Sequence, residues 1–482
     1  MLFTSYAFAL FLPLVFCLYW SVFRKNLRLQ NLFVVAASYL FYGWWDWRFL
    51  LLIAFTSLCS WASGLLIGRF REEPRKARRI SAANILLNLA ILGLFKYYDF
   101  FAQSFADLFL GGESDKILLH LVLPVGISFY TFQALSYSID VYRGRIEPVR
   151  DIVQFFAYVS FFPQLVAGPI ERATNLLPQF GRQREFNYAL AADGLRQMLW
   201  GFFKKVVIAD ECGHFVDHVF STYQQQPGCV LLMGAVFFAF QIYGDFSGYS
   251  DIAIGTAKLF GIRLTANFRT PYFSRNIAEF WRRWHISLTS WFRDYVYIPL
   301  GGSRCSKART IRNTFVIFLL CGLWHGANWT FVVWGAFNAL LFLPLILTGR
   351  NRRYRDTIAP DRCLPSWEEC GRMLLTFALV TLGWIVFRAD SVTQAWEYLC
   401  GILHWGHFTP DGDIVVWSQI LVQSACILVM LAVEWVDRRE EHALNLHGIR
   451  PRILRWVIYC LLISAICLFY DNGSAQFIYF QF

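Results

Sequence analysis

The stretch at residues 318–337, FLLCGLWHGANWTFVVWGAF, has the composition of a membrane helix but is interrupted in its middle. Apolar residues fill both ends, whereas Gly322, His325 and Gly326 fall together near the centre. Irregular backbone at membrane depth is tolerated only where protein or a water-filled cavity satisfies its polar groups. An ionisable side chain at such a position is costly and tends to line a path or a site. The stretch therefore predicts a broken pair of membrane helices with an internal site at the break.

The composition of the whole chain agrees with this interpretation. Of its 482 residues, 57% are hydrophobic and only 16% are charged, which leaves too few polar residues to cover a soluble protein of this length. The formal net charge of +11 comes from short basic clusters between apolar segments, as in the loops that orient membrane proteins. We therefore expect an all-α integral membrane protein that contacts membrane lipids and binds no nucleic acid.

The order of apolar segments and basic gaps predicts the topology. Apolar segments fall near residues 5–23, 31–44, 48–68, 80–97, 117–139, 152–168, 190–209, 228–246, 312–324, 326–348, 372–389, 416–435 and 453–471. With basic gaps inside and gaps such as GGESD at 111–115 outside, the N-terminus lies outside the cytoplasm. For the basic gaps to stay on the cytoplasmic side throughout, segment 152–168 must enter and leave the membrane on the same side, and residues 312–348 must form a hairpin or a broken pair. We expect one domain over residues 1–482 with about 10–12 spans and a cytoplasmic-side insert at about 260–311.

A second unusual stretch, EFWRRWHISLTSWFRDYVYIPLGGSR, covers residues 279–304 within that insert. At helical spacing, Trp281, Trp284 and Trp291 form one aromatic stripe while the arginines face water, which is the pattern of an amphipathic helix at the membrane interface. Such a helix explains the tryptophans and arginines but not the histidine. We therefore expect His285 to point inward.

Two carboxylates stand in apolar surroundings in QIYGDFSGYSDIAIG, residues 241–255. Asp245 and Asp251 are able to hold a histidine in one tautomer or to bind a cation. Alternatively they cap and join two helices, because Gly244 and Gly248 interrupt the run. The capping alternative is preferred for Asp251, and both alternatives stay open for Asp245.

The remaining ionisable residues carry weaker signals. His214 and His218 are four residues apart and would share one helix face, but no further ligands cluster nearby, so we expect no metal site. Lys204 and Lys205 are most simply anchors at the membrane interface. The glycine turn LGGSR at 300–304 lies in a basic cluster that would suit phosphate, although a plain basic loop has the same composition.

Together these stretches resemble the membrane-bound O-acyltransferase family. EFWRRWHISLTSWFRDYVYIPLGG and CGLWHGANWTFVVWG carry the core of the similarity. It extends to LFTSYAFALFLPLVFCLYW, ASYLFYGWWDWRFL, LPVGISFYTFQALSYSIDVYRG, FFPQLVAGPIER, QIYGDFSGYSDIAIG and the terminal FIYFQF. The branch that these motifs look closest to is the bacterial alginate O-acetylation type, and the similarity covers essentially the whole chain.

The resemblance implies a multi-span helical bundle with re-entrant or broken helices around a central funnel or tunnel. It also implies a thioester donor entering from the cytoplasm and an acceptor approaching from the other side. The near-invariant histidine of the family corresponds to His325, which is expected to act as the general base. The second polar position, a histidine in this branch, corresponds to His285.

In this branch the expected donor is acetyl-CoA, without a metal. The acetyl group is expected to be handed across the membrane to a periplasmic transferase, which O-acetylates an exported polysaccharide of the alginate type. Candidates for contacts with the CoA phosphates are Arg282, Arg283 and Arg304, and candidates for lining the tunnel are Trp284, Trp324, Asn328, Asp245 and Tyr249. The resemblance further implies the bacterial inner membrane, a periplasmic N-terminus, a periplasmic SGNH/esterase-like acetyltransferase and a polysaccharide synthesis and export complex. Peptidoglycan or cellulose as the polymer, and a transporter of an acetyl carrier without catalysis, are the alternatives.

Overall fold

The computed structural model describes residues 1–111, 117–165, 168–404 and 414–471. Over these ranges the chain forms helices and loops, with no strand. It divides into two compact units, Met1–Leu195 with Ala253–Thr265 and Arg196–Ile252 with Ala266–Phe482. Most of the acidic gap at 111–115 and the whole terminal FIYFQF fall outside the described residues. The interpretation of residues 1–482 as one domain stays a prediction.

Within the described ranges, seven helices are long and apolar enough to cross a membrane, which confirms an all-α, multi-pass membrane protein. They are Arg48–Arg69, Pro74–Phe109, Gly228–Leu259, Trp329–Leu347, Trp367–Arg388, Trp417–Val436 and Arg452–Phe469. The span Pro74–Phe109 consists of two α-helices joined by a π-helical segment, Gly93–Tyr97. The sequence predicted more spans because several of its apolar segments form shorter helices, such as the 17-residue Leu27–Gly43.

The first unit is built from helices on both sides of a broken segment. Its helices are α1 (Tyr6–Ser21), α2 (Leu27–Gly43), α3 (Arg48–Arg69), α4 (Pro74–Leu92), α5 (Tyr98–Phe109), α6 (Ile127–Tyr142), α7 (Ile152–Ser160), α8 (Phe162–Leu165), α9 (Ala173–Phe180) and the start of α10 (Tyr188–Phe202). The predicted re-entrant segment 152–168 is indeed interrupted: α7 ends at Ser160, and the next residue, Phe161, leaves the helical conformation at ψ 109°. A single short turn, α8, follows it.

The second unit contains the segments that carry the predicted site. A π-helical segment, Phe203–Asp210, continues α10. The helices that follow are α11 (Glu211–Ser221), α12 (Gly228–Leu259, whose last residues belong to the first unit), α13 (Ile277–Arg283), α14 (Ile286–Phe292), α15 (Lys307–His325), α16 (Trp329–Leu347), α17 (Trp367–Arg388), α18 (Val392–Leu403), α19 (Ile414–Val436) and α20 (Arg452–Phe469).

The stretch at 318–337 forms a tight helical hairpin, as its glycines predicted. Helix α15 ends at His325, Gly326 is fully extended at φ −162°, and α16 begins three residues later. The two helices touch through glycine: a Cβ atom on Gly322 would lie 2.2 Å from the Phe331 carbonyl oxygen, and one on Gly335 would lie 2.4 Å from that of Phe318. Only hydrogen fits at these positions, so the packing holds the end of α15 in place.

Helix α12 runs without a break through 241–255. The capping alternative, which the sequence favours for Asp251 and leaves open for Asp245, is therefore wrong. Gly248 instead faces α10, where a Cβ atom would lie 2.8 Å from the Gly201 carbonyl oxygen. Gly244 similarly faces the carbonyl oxygen of Lys204 at 2.9 Å. The glycines that predicted a helix end therefore serve close helix packing, which a single sequence does not distinguish from a break.

The stretch at 279–304 is not the single interfacial helix that its spacing predicted. Two short helices, α13 and α14, meet at His285, whose backbone is left-handed at φ 44° and ψ 55°. The aromatic stripe is buried rather than placed at an interface, with Trp281, Trp284 and Trp291 only 7%, 1% and 6% exposed. The expectation that His285 points inward is confirmed by its exposure of 1%.

Candidate functional site

His325 lies at the carboxyl end of α15 inside an aromatic enclosure. It is 4% exposed, and its ring centroid lies 5.0 Å from that of Trp324 and 5.2 Å from those of Trp334 and Phe387. The hairpin holds it there, because Gly326 and the residues after it leave the helix immediately. The imidazole is therefore fixed on a rigid element in apolar surroundings. Such an arrangement suits a general base, because the position of the ring is set before a substrate binds.

Trp324 brings the two predicted histidines together. Its ring centroid lies 5.7 Å from that of His285 and 5.0 Å from that of His325. Phe246 closes another side of His285, with a centroid distance of 4.5 Å and nearly perpendicular rings. The sequence separates the two histidines by forty positions, and folding places both imidazoles on one indole.

Burial lowers the pKa of His285 well below its usual range, and the neighbouring charge of His325 lowers this pKa further. The imidazole of His285 is therefore neutral at physiological pH. Because the charge of one histidine acts on the other, the pair is close enough that protonation of both together is disfavoured. The pair therefore carries at most one extra proton, and at least one of the two imidazoles is neutral, as proton transfer between a base and a partner requires.

The polar partner of His285 is Asn267, a residue that the sequence did not single out. The Asn267 Oδ1 atom lies 3.0 Å from His285 Nδ1 and also accepts hydrogen bonds from the backbone and hydroxyl of Ser287. Asn267 is 1% exposed. It lies 18 positions before His285 in a loop without periodicity, so no sequence pattern connects the two residues.

Asp245 and Tyr249, predicted to line the tunnel, belong to a buried charge cluster around Lys205. The Lys205 Nζ atom lies 2.7 Å from Asp210 Oδ1, 2.8 Å from Asp245 Oδ1 and 5.4 Å from the ring centroid of Tyr249. Lys205 is 2% exposed, so its prediction as an interfacial anchor is wrong. The same holds for the adjacent lysine, since Lys204 Nζ lies 2.5 Å from the Asp251 carboxylate and is 3% exposed.

Two other tunnel candidates have clear packing roles. The Trp284 ring lies 5.0 Å from that of Trp384 and packs in the aromatic core beside the site. Asn328 caps α16, because its Oδ1 accepts the Thr330 N–H at 3.1 Å while its Nδ2 donates to the Asp390 carbonyl oxygen. Both residues position elements of the site, and their role in lining a tunnel stays a prediction.

The three arginines predicted to contact the CoA phosphates have different surroundings. Arg282 donates to the carbonyl oxygens of residues 351, 353 and 354, and Arg283 Nη2 pairs with buried Glu279 at 2.7 Å. These two guanidinium groups therefore hold a loop and a helix. Arg304 is exposed beside the glycine turn. The amides of Gly301, Gly302 and Arg304 donate within that turn, so they do not form the phosphate cradle that LGGSR suggested.

His214 and His218 lie on α11 and line a cavity of about 390 Å³ together with Glu211 and Gln423. Asp217, between them in sequence, forms an ion pair with Arg388 at 2.7 Å. Across the described ranges, no group of three or more His, Cys, Asp or Glu side chains is arranged to hold a metal ion.

Comparison with known proteins agrees with this arrangement. A model of the membrane-bound O-acyltransferase family matches residues 39–355, which include both histidines and the hairpin. The chain belongs to the membrane-bound O-acyltransferase family. It is therefore a multi-pass membrane O-acyltransferase.

Several curated members of this family are similar to the chain over most of its length. The probable alginate O-acetylase AlgI of Azotobacter vinelandii is 41% identical over 90% of this chain and 84% of that protein. The protein of the same name in Pseudomonas aeruginosa is 41% identical over 82% of this chain and 74% of its own. The peptidoglycan O-acetyltransferase of Helicobacter pylori is 32% identical over 98% of this chain and 95% of its own. These similarities support the alginate O-acetylation branch of the membrane-bound O-acyltransferase family.

Proposed function

We propose that this O-acyltransferase moves acetyl groups from cytoplasmic acetyl-CoA across the inner membrane for O-acetylation of an exported polysaccharide of the alginate type. A periplasmic partner transferase completes the modification, and His325 is the general base of this protein. The observation that carries the proposal is the pair of buried imidazoles, His325 and His285, which both contact the ring of Trp324. Two of the relatives are named as an alginate O-acetylase and a peptidoglycan O-acetyltransferase, and these names support acetyl as the group transferred.

The reaction needs a base, a carbonyl and a leaving thiolate. His325 takes the proton from an acceptor hydroxyl, and the oxygen then attacks the carbonyl carbon of the thioester. The carbon–sulfur bond breaks, and the thiolate leaves and receives the proton, so that an ester and free CoA are formed. Burial of the pair excludes water, which limits hydrolysis of the thioester. His285 either orients the acceptor, donates to the thioester carbonyl or shuttles the proton.

Arg304 is the best-placed candidate for contact with the CoA phosphates. It is exposed beside Lys307 and Arg309, and a cluster of cations attracts phosphate groups. Arg282 and Arg283 are engaged in the loop contacts and the ion pair described above, so they are weaker candidates. The full localisation proposed is the bacterial inner membrane with a periplasmic N-terminus, and the proposed partners are a periplasmic SGNH/esterase-like acetyltransferase and the polysaccharide export complex.

Peptidoglycan is a second candidate acceptor, since the peptidoglycan O-acetyltransferase of Helicobacter pylori is similar over nearly the whole chain. The higher identity to the alginate O-acetylases favours alginate. Cellulose has no comparable relative among those described above. Membership of an acyltransferase family counts against a transporter that lacks catalysis.

The direct test uses purified protein in lipid nanodiscs and acetyl-CoA labelled in the acetyl group. We expect acetyl transfer to an acceptor hydroxyl, and we expect His325→Ala to reduce kcat by about 10²- to 10⁴-fold, the usual contribution of a general base. His218→Ala is the matched control, because this histidine is exposed on α11, and it should retain activity. Normal acetylation by His325→Ala at normal expression would contradict the role of His325.

A further inference from the structure

The side-chain carboxamide of Asn267 forms a hydrogen bond with His285, and all the hydrogen bonds of this carboxamide are buried. Its Oδ1 atom lies 3.0 Å from His285 Nδ1, 2.9 Å from Ser287 Oγ and 3.3 Å from the Ser287 backbone nitrogen. Its Nδ2 donates to Ser250 Oγ at 3.2 Å. Ser250, Asn267, His285 and Ser287 are all at most 4% exposed, so the polar atoms of the Asn267 carboxamide obtain these hydrogen bonds from protein groups.

The orientation of the Asn267 amide follows from its partners. The backbone N–H of Ser287 is able only to donate, so the amide atom facing it must be the oxygen. That same oxygen faces His285 Nδ1. Since two acceptors do not form a hydrogen bond, Nδ1 must carry a proton.

We infer that Asn267 is a positioning residue that holds His285 in the Nδ1–H tautomer and thereby makes Nε2 a hydrogen-bond acceptor in the acyl-transfer site. In the described part of the chain, Nε2 is buried without a hydrogen-bond partner. A buried polar atom of this kind is costly to leave unsatisfied, so it points to a bound group that donates to it. A hydroxyl of the acceptor is such a donor.

This assignment rests on the proposed function and decides between the roles open to His285. A neutral imidazole protonated at Nδ1 has no proton at Nε2 to give to a thioester carbonyl. It is able to accept a hydrogen bond from a neighbouring hydroxyl of the acceptor, while His325 takes the proton of the reacting hydroxyl. His285 therefore acts on the acceptor side of the reaction rather than as an oxyanion-stabilising donor.

The backbone around His285 is built to keep this contact. Its left-handed conformation, φ 44° and ψ 55°, is uncommon for a residue with a side chain and persists only when its surroundings enforce it. Two backbone hydrogen bonds supply that enforcement: Ile286 N–H donates to the Asn267 carbonyl oxygen at 2.8 Å, and Arg269 N–H donates to that of Arg283 at 3.0 Å. They fix the loop that carries Asn267 against the junction of α13 and α14.

The first test compares one substitution at two buried asparagines. Asn267→Leu removes the acceptor, and we expect kcat for acetyl transfer to fall about 10- to 100-fold, as for other partners that orient a functional histidine. Asn338→Leu is the matched control, since Asn338 is also buried but donates to the Trp334 carbonyl oxygen in its own helix. It should keep kcat within a few-fold. Equal kcat for the wild type and Asn267→Leu would overturn the inference.

Asn267→Asp separates positioning from a purely structural role. It keeps an oxygen acceptor and adds a negative charge next to Nδ1, which favours imidazolium. The acidic limb of the pH–rate profile should move to higher pH by about one to three units. A uniform loss of activity at all pH values, with the limb unmoved, would contradict the assignment.

An assay without turnover distinguishes failure of this inference from failure of the proposed function. In protein labelled with ¹⁵N-histidine, the His285 signals are identified by their absence in His285→Gln. We expect a protonated Nδ1 and a bare Nε2 in the wild type, and mixed tautomers in Asn267→Leu. A wild-type His285 protonated at Nε2 would overturn the inference even if acetyl transfer is normal. The expected tautomer without any acetyl transfer would contradict only the proposed function.

Discussion

Gly322 offers a direct test of whether the α15–α16 hairpin holds His325, the proposed general base, in place. A Cβ atom at this position would lie 2.2 Å from the Phe331 carbonyl oxygen and 3.0 Å from its carbonyl carbon. Ordinary contacts begin at 3.4 Å, so Gly322→Ala forces the two helices apart by about an ångström, because backbone atoms in a packed interior do not yield. His325 is three residues further along the same helix and must move with it.

The expected effects follow from these distances. Overpacking of this kind costs about 1–3 kcal/mol of stability, and a displacement of about 1 Å at a reacting group reduces the rate by about 10²-fold. Gly371→Ala is the matched control, since a Cβ atom there has no neighbour within 4 Å. In the exposed interior of a helix this change should raise stability by about 0.5–1 kcal/mol.

The assays are thermal unfolding of the detergent-solubilised protein and acetyl transfer from labelled acetyl-CoA. We expect the melting temperature to fall for Gly322→Ala and to rise slightly for Gly371→Ala, with the rate reduced about 10²-fold only in the former. If both variants have the same melting temperature and the same rate of acetyl transfer, the glycine contact does not position His325.

Two further predictions concern buried charge. Lys205→Met leaves the carboxylates of Asp210 and Asp245 buried without the lysine between them. It should lower the free energy of unfolding by about 3–5 kcal/mol, and adding Asp245→Asn should restore part of the loss; a stable single variant would contradict this. Because burial lowers the pKa of His285, the unfolded chain binds a proton below about pH 6.5 that the folded protein does not, so stability falls as pH falls. Between pH 7 and pH 5 this amounts to up to about 2 kcal/mol, and His285→Gln should reduce that slope in chemical unfolding; parallel slopes would refute the buried neutral state.

The sequence predicted those features that depend on local composition. Long apolar runs identified the membrane helices, and the glycines around His325 identified the hairpin, because both signals lie within a few residues of the structure they determine. The resemblance to the acyltransferase family added the pairing of His325 with His285. The contact of both rings with Trp324 agrees with this pairing.

The wrong predictions have a common physical cause. The spacing of apolar residues shows which face of a helix is buried, but it does not show whether lipid or protein covers that face. The stripe of Trp281, Trp284 and Trp291 had the spacing of an interfacial helix, but its partners are other aromatic rings of the protein. Lys205 had the position of an anchor, yet carboxylates distant in sequence hold it inside. Asn267 was missed because nothing local marks a loop asparagine whose importance comes from a single long-range hydrogen bond.

The left-handed backbone at His285 has a consequence for attempts to engineer this protein. Such a conformation costs of order 1–3 kcal/mol for a residue with a Cβ atom, and glycine would adopt it without that cost. Replacing the histidine by glycine would therefore relieve backbone strain, but it would also leave a cavity among the aromatic rings and remove a hydrogen-bond partner of Asn267. The strain at this position is thus held in place by the packing of the imidazole, so variants selected for thermal stability near the site must also be assayed for turnover.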